Sequence, residues 1–184
     1  MENLLNEIEN LISRKPNAVI GIDGYCASGK TTLAVQLAQK IGAQVIHMDD
    51  FFLPYEMRTE ERLSETGGNV HYERFSSEVI SGLESGTAFS YGVFNCKQGR
   101  ITETKEILPD KSIIIEGSYA FHPKINDVYD LKIFVKAGYE TRLKRIFERN
   151  GKETLEIFKA KWIPLENRYF DEFEIENQCD VIIG

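Results

Sequence analysis

The stretch AVIGIDGYCASGKTTLA, residues 18–34, joins an apolar run to a glycine-rich turn and the first residues of an amphipathic segment. Residues 24–31 match the pattern G-x-x-x-x-G-K-[ST], in which glycines let successive backbone N–H groups surround an anion. A helix that begins near Lys30 would direct the positive end of its dipole at the same anion. The stretch therefore predicts a strand, a phosphate-binding loop and a helix in immediate succession.

Short apolar runs recur along the chain and alternate with segments of helical periodicity. Strands are predicted by the apolar runs at 18–23, 43–48, 111–117, 130–136 and 179–184. Helices are predicted by the spacing of apolar residues at 2–14, 30–41, 72–84, 138–150 and 153–174, the last with a break near Pro164. Buried strands that alternate with helices are typical of an α/β fold, in which a five-stranded parallel sheet carries helices on both faces.

Two segments lie outside this alternating pattern. AFSYGVF and RITETKEIL flank the turn NCKQG and predict a β-hairpin over about 88–107. Residues 50–70 are polar and contain Pro54 and a glycine pair, which favours a long functional loop. A chain of 184 residues suits one domain. The phosphate-loop pattern and the alternating strands and helices therefore predict a single three-layer P-loop NTPase domain over 1–184 with a hairpin insertion.

The composition limits the classes of partner that we expect the chain to bind. The net charge of −7 argues against nucleic acid, whose binders are usually basic, but permits a small anionic ligand at a local positive site. No apolar run approaches the ~20 residues of a membrane span, and the acidic amphipathic N-terminus does not resemble a signal peptide. Three cysteines without metal spacing (Cys26, Cys96 and Cys179) favour free thiols in a reducing cytoplasm. A small molecule is the expected partner, and homo-oligomer formation is left open.

The glycine-rich turn predicts a nucleotide site with defined roles. Lys30 can reach the β- and γ-phosphates, and the Thr31 hydroxyl can ligate Mg²⁺. The expected cofactors are therefore ATP and Mg²⁺. The predicted nucleotide-binding residues are Gly24, Tyr25, Cys26, Ala27, Ser28, Gly29, Lys30, Thr31 and Thr32.

The second predicted strand ends in HMDDFFLP, which places Asp49 and Asp50 where the strand opens toward the phosphate loop. A carboxylate there could accept a proton from an incoming hydroxyl. Phe51 and Phe52 could stack on a flat ring. The alternative is a solvated acidic loop followed by two core phenylalanines.

Four blocks together, GIDGYCASGKTTLA, MDDFFLP, IIIEG and TRLKRIFERNG, resemble the uridine kinase-like P-loop kinases, which include uridine/cytidine kinases, phosphoribulokinase and nicotinamide riboside kinases. The resemblance implies that Asp49 is the general base and that Asp50 assists it or contacts a Mg²⁺-bound water. It implies that Glu116 holds Mg²⁺ through water or orients the acceptor. It also implies a catalytic lid over about 138–150, whose Arg142, Arg145 and Arg149 share one helix face. The alternative for these arginines is a solvated helix face.

The sequence differs from the family pattern at the positions where the family contacts the base and the sugar of its substrate. NVHYERF places His71, or no equivalent, where the family has a ribose-binding Asp, and YGVF keeps Tyr91 but has Gly92 in place of an Asp. Trp162 and Tyr169 favour packing roles, and His47 and His122 are assigned none. The candidate acceptor contacts are Asp49, Phe51, His71, Tyr72, Arg74, Tyr91 and Arg100.

The leading hypothesis is a small-molecule kinase that transfers the γ-phosphoryl group of ATP·Mg²⁺ to a hydroxyl, most simply the 5′-hydroxyl of a nucleoside. A nicotinamide riboside kinase, or a kinase for another small metabolite, is the alternative within the same fold. A nucleotide-binding regulatory protein is the alternative that is not an enzyme. A GTPase-like switch is disfavoured because the chain lacks an N-K-x-D motif.

Overall fold

The computed structural model describes residues 2–125 and 128–184. The strands are β1 (Val19–Gly24), β2 (Gln44–His47), β3 (Phe89–Asn95), β4 (Arg100–Ile107), β5 (Ile113–Glu116), β6 (Leu131–Val135) and β7 (Val181–Ile183). The α-helices are α1 (Glu2–Arg14), α2 (Lys30–Ile41), α3 (Glu60–Ser64), α4 (Tyr72–Phe75), α5 (Ser81–Ser85), α6 (Tyr139–Ile157) and α7 (Ile163–Glu172). None of the helices within the described ranges is long and apolar enough to cross a bilayer.

The main sheet has five parallel strands, as the alternation of strands and helices predicts, and the structure shows their order to be β2-β5-β1-β6-β7. β1 lies at its centre, and all six of its residues are buried. Because parallel strands present their carboxyl ends at one edge, the residues that follow β1, β2 and β5 lie close together. The phosphate-loop sequence, the acidic pair and the end of IIIEG therefore meet at a single edge.

Helices cover both faces of this sheet, which confirms the predicted three layers. One face packs α1 and α2 against alternate strand residues such as Ile20, Ile114 and Ile133. The other packs α4 and α7 against residues such as Ile115 and Phe134. Neighbouring strand residues such as Ile114 and Ile115 enter opposite clusters because successive side chains point to opposite faces.

The boundary predicted between helices at 138–150 and 153–174 is confirmed within the range assigned to α6. Gly151, with a φ of 81°, has a non-helical backbone and separates two helical stretches there. Near Pro164 the helix changes type without ending: the π-helical turn Phe158–Trp162 passes, with helical backbone at Trp162, directly into α7, whose first turn holds Pro164. The prediction of a buried last strand is wrong, because β7 pairs with β6 at the sheet edge and leaves Ile182 50% exposed.

The hairpin and the polar segment pack beside the strand edge. β3 and β4 form the predicted antiparallel hairpin, with a register shift between Val93 and Phe94. The segment predicted as a loop over 50–70 contains turns and α3, and an isolated antiparallel bridge pairs Phe52 with Val70. These two elements wall in the space beyond the end of β2.

Candidate active site

The loop after β1 has the backbone that an anion-binding turn requires. Gly24, Ala27 and Gly29 all have positive φ, at 142°, 56° and 111°. A Cβ on Gly24 would lie 2.1 Å from the carbonyl oxygen of Val135, so glycine is also required sterically. The buried Lys30 donates from Nζ to the carbonyl oxygens of Gly24 at 2.7 Å and Tyr25 at 2.9 Å, which fixes the lysine along the loop.

A hydroxyl and a carboxylate suited to Mg²⁺ lie beside this loop. The Thr31 hydroxyl donates to Glu116 at 3.1 Å, and Glu116 is buried at the end of β5. Oxygen donors of this kind are what Mg²⁺ prefers, together with water and substrate phosphates. Within 2–125 and 128–184, no group of three or more His, Cys, Asp or Glu side chains could hold a metal. The site therefore fits a Mg²⁺ ion held jointly with nucleotide phosphates.

His47, to which the sequence assigned no role, orients this carboxylate. Its Nδ1 lies 2.6 Å from Oε1 of Glu116, and the parallel register of β2 and β5 sets the two residues side by side. The hydrogen bond to Glu116 raises the pKa of His47. The sequence contained a signal for this pair, because His47 and Glu116 each end one of two neighbouring strands.

His122, to which the sequence also assigned no role, stacks on the ring of Tyr72.

Two cavities meet at the loop. One, of about 340 Å³, is lined by Asp49 and by residues of the polar segment 50–70 such as Tyr55; we call it the acceptor cavity. The other, of about 500 Å³, is lined by Thr32, Gln36 and Arg145; we call it the donor cavity. Both are lined by Ala27, Lys30, Thr31 and Arg149. Two ligands, one in each cavity, could therefore both reach these four residues.

Asp49 lies in the wall of the acceptor cavity. Its side chain is accessible to solvent there, yet protein surrounds it closely. This loss of solvation, together with repulsion from Glu116, raises the pKa of Asp49, while Lys30 acts in the opposite direction. A carboxylate with a raised pKa facing a cavity has the properties of a general base.

Asp50 and Phe51 do not face the cavity, contrary to expectation. The Asp50 carboxylate accepts hydrogen bonds from Tyr91 at 3.2 Å and Lys105 at 3.0 Å, so it holds the hairpin instead of a metal ion. Phe51 is fully buried and packs on Phe75 and Tyr91, with ring centroids 4.9 Å and 5.3 Å apart. The turn Met48–Phe51 directs successive side chains in different directions, which the sequence alone did not reveal.

The other predicted acceptor contacts are also structural. The buried Tyr72 donates to Glu65, and His71 caps α4 by accepting from the backbone N–H of Arg74 at 3.0 Å. Arg74 donates to the carbonyl oxygens of Gly92 and Asp50. Tyr91 is a buried residue of β3, and the Arg100 side chain hydrogen-bonds to Gln98 in the hairpin. None of these side chains lines the acceptor cavity.

The three arginines of α6 all lie along the phosphate loop, at different positions. Arg142 is buried with its guanidinium 4.4 Å from the Tyr25 ring, and its Nε has no hydrogen-bond partner. Arg145 donates to the carbonyl oxygens of Ala27 and Ser28 at 3.0 Å and 2.9 Å. Arg149 lines both cavities. The buried Nε of Arg142 and the equally unpartnered Ser28 hydroxyl fit a loop that binds an anion.

Glu166 is the main loop contact that sequence reasoning missed. Its buried carboxylate accepts from the backbone N–H of Cys26 at 2.9 Å and from the Ser118 hydroxyl at 2.6 Å. The N–H of Cys26, expected to face phosphate, is thus already engaged. The signal was a carboxylate on the buried face of α7, which it shares with Ile163 and Tyr169. Sequence reasoning also missed five residues that line the acceptor cavity, namely Tyr55, Arg58, Asn69, Tyr119 and Phe158. Trp162, which was expected only to pack, lines the acceptor cavity as well.

Comparison with known proteins agrees with this geometry. The "Phosphoribulokinase / Uridine kinase family" model matches residues 19–154. "Uridine kinase-like protein 4" from Arabidopsis thaliana is 32% identical over 188 residues, which cover 94% of this chain and 39% of that protein. "Uridine/cytidine kinase UKL1, chloroplastic" from the same plant is 26% identical over 180 residues, covering 90% and 37%. The chain thus spans about two fifths of the length of these curated relatives.

Solved structures share the fold. A protein described as a possible uridine kinase from Bacillus stearothermophilus superposes with a TM-score of 0.70 at 21% identity, and the match covers 100% of both chains. The family match extends from β1 and its phosphate loop through β5 and most of α6. The chain therefore belongs to the phosphoribulokinase / uridine kinase family.

Proposed function

We propose that the chain is a kinase that transfers the γ-phosphoryl group of ATP to a hydroxyl of a small molecule, most simply the 5′-hydroxyl of a nucleoside. The observation that carries the proposal is the meeting of two cavities at the phosphate loop, with Asp49 on the acceptor side. A regulatory nucleotide switch needs only one of these cavities. A transferase needs both.

Each part of the site has a role in the proposed reaction. Lys30 and the loop amides other than that of Cys26 would hold the phosphates, and Thr31 and Glu116 would hold Mg²⁺, which would neutralise phosphate charge. Asp49 accepts the proton as the acceptor oxygen bonds to the γ-phosphorus and the bond to the β,γ-bridging oxygen breaks, releasing ADP. Arg149, which lines both cavities, is placed to stabilise charge on the transferring group.

The nucleoside assignment is supported by the names of the relatives, one a uridine kinase-like protein and the other a uridine/cytidine kinase. Nicotinamide riboside or another small metabolite remains the alternative acceptor, and a regulatory protein is the alternative that transfers no phosphoryl group.

The cysteines Cys26, Cys96 and Cys179 are free thiols, which supports a reducing cytoplasm as the compartment.

The test is ADP formation with Mg²⁺ against uridine, cytidine, nicotinamide riboside, pantothenate and simple sugars, with product mass measured for each. One phosphorylated product that requires Asp49 would support the proposal. ADP formation that no compound stimulates, with only inorganic phosphate as product, would favour the regulatory alternative.

A further inference from the structure

A carboxylate from α7 occupies one end of the phosphate loop. Glu166 is 5% exposed, and its Oε2 accepts a hydrogen bond from the backbone N–H of Cys26 at 2.9 Å. Both residues line the acceptor cavity, and neither is among the described residues that line the donor cavity. One backbone donor of the loop is therefore engaged on the side from which an acceptor would approach.

The Ser118 hydroxyl connects this carboxylate to the lysine of the loop. Oγ of Ser118 donates to Oε1 of Glu166 at 2.6 Å and accepts from Nζ of Lys30 at 3.3 Å. Both oxygens of Glu166 are thus held, and the carboxylate lies two hydrogen bonds from the ammonium group that is expected to contact the γ-phosphate. The carboxylate therefore has a defined position relative to that phosphate.

A second contact of α7 keeps Glu166 in place. The hydroxyl of Tyr169, one helical turn further along, donates to Oδ2 of the buried Asp23 at 2.8 Å. Oδ1 of Asp23 accepts from the backbone N–H of Gly24 at 2.7 Å. Because helix residues three apart share a face, α7 holds the loop at two points, near Gly24 through Tyr169 and at Cys26 through Glu166.

The charge of Glu166 has no cation directly beside it. No ion pair within the described ranges includes Glu166. Burial raises the pKa of the Cys26 thiol to about 12, and the charge of Glu166 adds to the rise, so its field reaches the loop. The same charge would repel a γ-phosphate placed near Cys26. Because a buried carboxylate without an ion-pair partner is costly, its presence here indicates a functional role.

We infer that Glu166 is a positioning residue for phosphoryl transfer, which keeps the γ-phosphate on the Lys30 and Thr31 side of the loop. It occupies the Cys26 N–H, a donor that would otherwise draw the γ-phosphate toward the acceptor cavity. Its charge repels the γ-phosphate from the same place. The space that the acceptor hydroxyl needs beside Asp49 therefore stays open. This inference rests on the proposed function and deepens it.

Nucleotides that differ only in the γ-phosphate test the inference without any transfer. The Kd values of ADP and of a non-hydrolysable ATP analogue would be measured by calorimetry with Mg²⁺ for the parent, Glu166→Gln and Glu166→Ala. Glutamine removes the charge but can still accept from Cys26, whereas alanine also frees the N–H. We expect the Kd of the analogue to fall about three- to tenfold in Glu166→Gln and further in Glu166→Ala, while the Kd of ADP changes little.

Transfer should change in the opposite direction. In a single turnover with γ-labelled ATP, Glu166→Gln should slow transfer about tenfold or more, because a γ-phosphate that shifts toward Cys26 leaves the geometry for attack. A variant that is only less well folded would bind both nucleotides more weakly and also react more slowly. Tighter binding of the analogue together with slower transfer therefore separates positioning from a loss of structure. Unchanged transfer in Glu166→Gln would overturn the inference.

Glu172→Gln is the matched control, because it makes the same chemical change on the same helix. The side chain of Glu172 is 48% exposed and accepts from the Thr66 hydroxyl, and Glu172 is not among the described residues that line the two cavities. This variant should bind both nucleotides and transfer phosphate as the parent does. An equal ratio of analogue Kd to ADP Kd in Glu166→Gln and Glu172→Gln would contradict the role of Glu166.

The two proposals can fail separately. Transfer that requires Asp49, with a Glu166→Gln that matches the parent in both Kd values and in rate, would retain the kinase and overturn the role of Glu166. Selectively tighter binding of the ATP analogue by Glu166→Gln, in a protein whose parent phosphorylates no compound, would retain the effect of Glu166 on the γ-phosphate and overturn the kinase.

Discussion

Adjacent carboxylates with opposite surroundings provide the sharpest test of the site. Asp49 lies in the acceptor cavity, whereas Asp50 is 9% exposed and accepts hydrogen bonds from Tyr91 and Lys105. The substitutions Asp49→Asn and Asp50→Asn make the same chemical change one residue apart. We expect Asp49→Asn to slow phosphoryl transfer and Asp50→Asn to lower the stability of the folded chain.

For Asp49→Asn, transfer should fall ~10²-fold or more, the usual scale for loss of a general base. Stability should hold or rise slightly. The pKa of Asp49 is raised above the ordinary value of an aspartate, so the folded chain binds the proton more tightly than the unfolded chain. Its contribution to stability therefore falls as pH rises above that value, and an uncharged amide avoids this loss.

For Asp50→Asn, the charge-assisted contact with Lys105 is lost while an amide oxygen can still accept from Tyr91. Hydrogen bonds to charged groups contribute about 1.5–3 kcal/mol. The Lys105 side chain is 38% exposed, so solvent screening reduces the expected loss to roughly 1–2 kcal/mol. At ~2–4 °C per kcal/mol for a chain of this size, the melting temperature should fall by roughly 2–8 °C.

Thermal melts, nucleotide affinity and single-turnover transfer would be measured on both variants and the parent. Nucleotide affinity should change little in either. A fully active Asp49→Asn, or an Asp50→Asn that loses transfer at parental stability, would refute the assignment of the two carboxylates.

Three further outcomes follow from the same geometry. Lys30→Ala should weaken both ATP binding and transfer, because it removes the cation that lies along the loop; unchanged affinity in a calorimetric titration would contradict this role. Phe51→Leu should lower the melting temperature by about 2–6 °C at an unchanged acceptor KM, because Phe51 is fully buried; a higher KM at parental stability would return Phe51 to the acceptor site. The acid limb of kcat/KM should lie above the ordinary pKa of an aspartate, because loss of solvation and repulsion from Glu116 raise the pKa of Asp49; a rate that stays constant down to that value would exclude Asp49 as the titrating base.

The sheet and the phosphate loop were predictable because their signals are local. Buried parallel strands are short apolar runs, and the loop requires glycine at positions such as Gly24, where no Cβ fits. The pairing of Thr31 with Glu116 follows from the same order of strands, because both lie at the carboxyl edge of the sheet.

The acceptor wall was not predictable because its signals are tertiary. Whether Asp49 or Asp50 faces the cavity depends on a short turn that packs against the hairpin. Arg74 was expected at the ligand, yet it bridges α4, the hairpin and the turn. Arg58 and Asn69 lie in a polar segment without helical or strand periodicity, so only the folded chain brings them to the cavity.

The most direct test of the central claim is a single-turnover reaction with γ-labelled ATP, Mg²⁺ and the acceptor that stimulates ADP formation. We expect the label to appear on the acceptor in the parent and to remain in ATP in Asp49→Asn. Label found only in inorganic phosphate, or transferred equally well by both proteins, would contradict a kinase that uses Asp49 as its base.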